Sequence, residues 1–218
     1  DTEFSMEDMI AEEEVVLTIT HQGYIKRTAL NTYKTQRRGG RGVQGAMSKD
    51  EDFVEHLFIA NTHNYMLFFT DLGKCYWLKV YDIPQGGRAT RGRAIVNLIG
   101  CSPGERVEAF VSVKEFDDQH YIVMSTKKGI IKKTVLSAYS KPRKGGIYAI
   151  EIREGDKLIQ ARITNGEHDI LLGTHEGKSI RFSEGNIRAS GRKTMGVKGI
   201  ALSSQKDYVV GMLVVRRE

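Results

Sequence analysis

The feature that most constrains this chain is that it repeats itself. Thr-x-x-Gly follows an apolar run four times, as VVLTITHQG (15–23), YMLFFTDLG (65–73), YIVMSTKKG (121–129) and DILLGTHEG (169–177). The glycines Gly23, Gly73, Gly129 and Gly177 lie 50, 56 and 48 residues apart. A short, partly basic strand follows each turn: YIKRT, KCYWLKV, IIKKT and KSIRF. A Gly/Arg-rich loop comes next: QRRGGRG, RATRGR, KPRKGG and RKTMGVKG. Each repeat closes on an acid and an alternating apolar run: DFVEHLFIA, ERVEAFVSV, DKLIQARIT and DYVVGMLVV. Runs this short, rich in Val, Ile, Tyr and Phe and bounded by Gly and Asp, predict strands of period two. Residues 4–11, FSMEDMIA, suggest one turn of helix, and no segment shows a sustained helical stripe.

Four short strands in about 50 residues is the signature of propeller-like blades, because one small sheet cannot bury both faces by itself. The expected fold is all-β, with repeats at about 15–63, 64–119, 120–167 and 168–218 behind an acidic lead-in of residues 1–14. The lead-in carries seven acidic residues and no basic one. Without it, 33 basic residues stand against 20 acidic ones. A basic body of this kind suits a polyanion, nucleic acid first. Cys75 and Cys101 form no CxxC pair, and a reduced, cytosolic setting is expected. The start at Asp1 without Met fits a piece of a longer protein.

The basic residues are phased. Residues 24–49, 74–101, 127–150 and 178–198 hold 25 of the 33 Lys and Arg and only two acids, Asp82 and Glu184. Solvation needs charge, but it does not need one sign at one offset. Equivalent offsets in successive blades predict a basic band along which a bent polyanion would run. The expected contact residues are Lys26, Arg27, Arg91, Arg93, Lys132, Lys133, Arg143, Lys144, Arg181, Arg188, Arg192, Lys193 and Lys198. Phosphate contacts of this kind position a duplex without reading its sequence. The acidic lead-in is expected to compete with the polyanion for the cations.

The stretch QRRGGRG (36–42) resembles the heptapeptide box of the C-terminal DNA-wrapping domain of DNA gyrase A, usually Q-R-R-G-G-K-G, at six of seven positions; Arg41 replaces Lys. VVLTITHQGYIKR, EDFVEHLFIANTH, RGRAIVNLI, IIKKT and GVKGI extend the likeness from about Phe4 to Val215. The resemblance implies a β-pinwheel, whose propeller-like blades exchange strands, usually six of them against the four repeats here. It implies chiral wrapping of duplex DNA that enables ATP-dependent negative supercoiling. By the same resemblance Gln36, Arg37, Arg38, Gly39, Gly40, Arg41 and Gly42 hold DNA where the wrap is completed. The implied partners are the rest of the gyrase A polypeptide and the gyrase B polypeptide in an A2B2 bacterial enzyme of the cytoplasm, at the nucleoid, with the isolated domain monomeric. ATP and Mg²⁺ would act elsewhere in that enzyme.

Nothing in the sequence marks a catalytic, cofactor or metal site. The cleavage tyrosine of type IIA topoisomerases follows an arginine, and this chain has no Arg-Tyr pair. It has no GxxxxGK[ST], and its six histidines lack ligand spacing. A topoisomerase IV domain is the nearest alternative reading. A kelch-type protein-binding propeller is a second; it shares the double glycines (39–40, 86–87, 145–146) but needs a Tyr and Trp at offsets this chain does not fill.

Overall fold

A computed structural model describes residues 5–38 and 52–217. The repeat elements are strands throughout. The turn-entering strands are β1 (Glu14–Thr20), β4 (Tyr65–Thr70), β8 (Tyr121–Thr126) and β12 (His168–Thr174). The turn-leaving strands are β2 (Tyr24–Ala29), β5 (Lys74–Lys79), β9 (Ile130–Val135) and β13 (Ser179–Ser183). The closing strands are β3 (Val54–Asn61), β7 (Val107–Val113), β11 (Leu158–Thr164) and β15 (Val209–Arg216). Three two-residue strands complete the set: β6 (Arg93–Ala94), β10 (Ile147–Tyr148) and β14 (Val197–Lys198).

The Thr-x-x-Gly signature is the geometry of the hairpin turn. Each glycine takes a positive φ, 86°, 82°, 93° and 90° in chain order, a region that costs other residues strain. Each glycine N–H donates to the carbonyl of the threonine three residues before it, at 2.9–3.1 Å. The threonine hydroxyl accepts from the next backbone N–H, from Tyr24, Lys74, Ile130 and Lys178 at 3.0–3.3 Å. The acid before the closing strand holds the same turn from the other side. Asp52, Asp156 and Asp207 accept from the backbone N–H of Gln22, Lys128 and Glu176 at 2.8–2.9 Å. In the second repeat the roles swap, and Asp71 in the turn accepts from Arg106.

The short strands carry the strand exchange that the resemblance implied. The sheets run β3-β1-β2-β6, β10-β5-β4-β7, β11-β8-β9-β14 and β13-β12-β15. Thus the Gly/Arg loop of each later repeat returns a strand to the outer edge of the sheet before it. Tyr24 pairs with Ala94, Cys75 with Ile147 and Ile131 with Val197. Each returned segment also donates to the carbonyl of the turn glycine, from Ile95 to Gly23, Ala149 to Gly73 and Gly199 to Gly129. Only the first three sheets have four strands; the fourth has three among the described residues.

The chain forms two compact units, residues 1–66 with 78–100, and residues 67–77 with 101–218. In the first, Val15, Val16, Leu17, Ile19 and Ile25 are buried with Val80, Ile83 and Ile95. The lead-in is attached to this unit. A short 3₁₀ helix, Met6–Met9, is capped by Ser5, and Lys79 holds Glu7 at 2.8 Å. His63 Nε2 donates to the Ile10 carbonyl at 2.8 Å, and its Nδ1 lies 3.8 Å from Glu7 and 3.6 Å from Glu12. In the second unit, Val123, Ile131, Ile170, Leu172, Ile187, Ile200, Val209 and Met212 form one cluster between successive sheets. Phe68 meets Phe110, and Phe69 meets Tyr139, edge to face.

One element departs from the sequence expectation. Leu30–Arg38 is an α-helix, α1, packed beside β1 and β2, and not the start of a loop. A second, four-residue helix, α2 (Ile95–Leu98), follows β6.

Candidate nucleic-acid interface

In the first unit, the first two basic residues after the turn are structural. Lys26 donates from Nζ to the carbonyls of Gly87 and Thr90 at 2.9 and 2.8 Å, and partial burial lowers its pKa. Arg27 reaches Ile83 O at 2.5 Å and Tyr81 O at 3.2 Å. Both side chains grip the loop that carries β6. Arg91 and Arg93, on that loop, are exposed. The Arg91 guanidinium lies 4.3 Å from the Tyr24 ring centroid, bonds Gln22 and sits 3.4 Å from Asp52. Burial opposes ionisation of Asp52, but bonds from Thr20, Gln22 and Arg91 outweigh it and hold the carboxyl below its usual value. Of the heptapeptide, Gln36, Arg37 and Arg38 fall at the end of α1. Gly39, Gly40, Arg41 and Gly42 lie outside the described residues.

In the second unit the same offset repeats the same device. Lys132 is 1% exposed, and its Nζ donates to Ala149 O and Arg192 O, each at 2.5 Å. Burial, with Arg192 adding to it, lowers its pKa to about 7. Lys133 is also buried; its Nζ lies 3.4 Å from the carboxylate of Glu184 and 4.5 Å from the Tyr121 ring. Glu184 in turn accepts from Thr164 Oγ1 and the His168 backbone N–H, both at 2.9 Å. Lys26, Arg27, Lys132 and Lys133 were all expected to face a polyanion. The structure instead turns them onto carbonyls and a buried carboxylate, because their offset lies where the returned loop crosses the strand. Between them, Tyr76 fills the same offset. Its ring lies against Gly146, and its hydroxyl donates to Glu105 at 2.7 Å.

The loop cations are the ones presented to solvent. Arg143, Lys144, Arg188, Lys193 and Lys198 are exposed. Arg192 is half-buried and donates to Tyr148 O at 3.0 Å. Arg181 is exposed on β13, where it pairs with Asp169 at 3.0 Å, and Arg217 holds the same carboxylate at 2.7 Å. Bonds from Arg217 and then Arg181 keep Asp169 below its usual value. Arg188 and Met195 border a cleft of about 330 Å³ floored by Ile131 and Ile187. Two members of this surface escaped the sequence reading: Lys74, at the start of β5, and the exposed Arg88. Both lie inside the basic windows, so the phasing already pointed at them.

The returned loops approach backbone closely. Gly92, Gly146 and Gly196 precede β6, β10 and β14 with φ of 90°, 78° and 79°. A Cβ on them would stand 2.2 Å from Ile25 O, 2.8 Å from the Tyr76 ring and 2.6 Å from Ile131 O. These three glycines let the loop lie flat on the sheet edge while its neighbours Arg91, Arg93, Arg143, Lys144, Lys193 and Lys198 project outward. Among the described residues no group of His, Cys, Asp and Glu could hold a metal ion, and no helix is long and apolar enough to cross a membrane.

The sequence profile described as "DNA gyrase C-terminal domain, beta-propeller" matches residues 14–61, 64–113, 120–165 and 168–216, one match for each repeat. The chain is 50% identical to the DNA gyrase A polypeptide of Clostridium acetobutylicum over 199 residues, covering 91% of this chain and 24% of that protein. It is 51% identical to the DNA gyrase A polypeptide of Neisseria gonorrhoeae over 178 residues, covering 82% of this chain and 19% of that one. The chain therefore spans about a quarter of the length of the curated relatives it matches. Among solved structures, the C-terminal domain of DNA topoisomerase IV aligns with a TM-score of 0.79 at 28% identity, over 96% of this chain and 63% of that one. The DNA gyrase A C-terminal domain aligns with a TM-score of 0.70 at 25% identity, over 93% and 65%.

Proposed function

As the chain belongs to the DNA gyrase C-terminal domain family, we propose that it binds duplex DNA through its exposed loop cations and bends it in one hand. The reading is supported by one observation above the rest. Every described Gly/Arg loop is laid against a sheet edge by strand exchange, and each presents Lys or Arg outward: Arg91 and Arg93 in one unit, Arg143, Lys144, Lys193 and Lys198 in the other. A duplex carries a phosphate charge about every 1.7 Å of axis, and each contact releases counterions. Bending 20–30 base pairs by 40–90° costs about 1–6 kcal/mol, which a series of such contacts offsets.

In this reading the box residues Gln36–Gly42 hold the point that completes the wrap, with Arg37, Arg38 and Arg41 clamping phosphate. The domain supplies no chemistry of its own. It serves a gyrase built from A and B polypeptides in the bacterial cytoplasm, which uses ATP and Mg²⁺ elsewhere. Gyrase is favoured over topoisomerase IV by the near-complete box and by relatives named as gyrase at up to 51% identity.

The test is DNA topology. The chain is bound to nicked circular plasmid, the nick is ligated, protein is removed and topoisomers are resolved. A shift in linking number is expected. Binding with no shift overturns wrapping and leaves a surface that holds DNA without curling it.

A further inference from the structure

Three cations of the second unit meet at one tyrosine, Tyr148. Tyr148 lies on β10, paired in register with Lys74, and is 50% exposed. Its ring centroid is 5.9 Å from Lys74 Nζ and 5.7 Å from Lys193 Nζ. The Arg192 guanidinium bonds its carbonyl at 3.0 Å. Lys74 comes from β5 and Lys193 from the loop before β14, so cations of two different repeats converge on the ring.

The strand does not need this ring to form. On β10 it is the neighbour Ile147 that is buried, while Tyr148 points the other way. The equivalent returned strands carry Ala94 and Lys198 at the same offset after the glycine. A track that touched only phosphate would not need an aromatic there either. Proteins that bend a duplex from its minor groove frequently insert apolar side chains there, alongside basic side chains. A half-exposed ring with two ammonium groups within 5.9 Å of its centroid has that composition, an aromatic side chain beside two cations able to take phosphate.

We propose that Tyr148 contacts the minor groove of the bent duplex through its ring, with Lys74 and Lys193 on the phosphates to either side. The proposal rests on the DNA-binding reading above and adds to it a contact that salt does not screen.

The test is binding of the 218-residue chain to a labelled duplex of about 40 base pairs across a salt series, by fluorescence anisotropy. Y148A should bind roughly tenfold more weakly at every salt concentration, with the slope of log K against log[salt] unchanged. Y148F should match the wild type. Unchanged affinity in Y148A overturns the proposal. So does a slope shallower by about one unit, because the ring would then serve only to position a lysine. A larger loss on single-stranded than on duplex DNA overturns it as well. Y148W adds a second reporter, its emission read as the difference from the wild type, whose one tryptophan is Trp77. Duplex should quench the added emission, and an unaltered spectrum at saturation refutes the contact. Should the wild type itself fail to bind duplex, the DNA-binding reading falls; a wild type that binds beside a Y148A that binds equally well refutes Tyr148 alone.

Discussion

Replacing Gly196 by Ala tests whether strand exchange depends on the close approach of the loop. Gly196 has a φ of 79°, and a Cβ there would stand 2.6 Å from Ile131 O and 2.9 Å from Ile130 Cγ2. Gly177 is the control, since its φ is 90° but a Cβ on it would meet nothing within 4 Å. Both substitutions carry the left-handed backbone penalty, about 1–2 kcal/mol. Only Gly196→Ala must also push β14 off β9, straining the Val197–Ile131 and Lys198–Ile130 pairs. Overpacking of this kind adds about 1–3 kcal/mol. For a chain of this size each kcal/mol lowers Tm by roughly 2–4 °C. Thermal unfolding followed by far-UV circular dichroism should therefore place Gly196→Ala about 2–12 °C below Gly177→Ala. Equal Tm values for the two variants would refute the idea that the missing side chain is what lets the returned strand dock.

Three further outcomes are expected. Changing Arg143, Lys144 and Lys193 to Ala should make the salt slope of duplex binding shallower by about 2.7, whereas Lys133→Met should leave it unaltered, both read from anisotropy titrations. Lys133→Met should instead strip the buried Glu184 of its cation and destabilise the chain by about 3–5 kcal/mol in urea unfolding. Lys132 has a folded pKa near 7 and a higher unfolded one, so the native state binds fewer protons in between. Stability of the wild type relative to Lys132→Met should rise from pH 7 towards 10, and a flat difference would remove the assigned burial effect.

The strands, the turns and the repeat phase were legible because they rest on local rules. Thr-x-x-Gly fixes a positive φ and a side-chain-to-backbone bond within five residues, and apolar alternation fixes the faces. The acids before the closing strands were visible as a phase, but their task was not. Asp52 reaches back 30 residues to the Gln22 N–H, a contact only the folded sheet creates. The helix at Leu30–Arg38 was missed because LNTYKTQRR has little apolar stripe, and packing beside β1 and β2 outweighs its weak propensity. The same limit explains the basic residues. Composition could count Lys26, Arg27, Lys132 and Lys133 among the phased cations. It could not say that segments arriving from well downstream in the chain would cover them.

Strand exchange also sets an order in time. β9 ends at Val135, but the strand that closes its outer edge is Val197–Lys198, and β5 likewise waits for Ile147–Tyr148. On a ribosome, where the N-terminal part emerges first, each sheet would be made with one edge open until most of the following repeat had been synthesised. Completion runs one repeat behind translation. An open edge exposes unpaired backbone groups that can pair wrongly with another chain. Lys26 and Lys132, which come to grip the arriving loops of the first and third sheets, would in that interval be charged groups on the exposed edge, a device that discourages such pairing until the proper strand arrives.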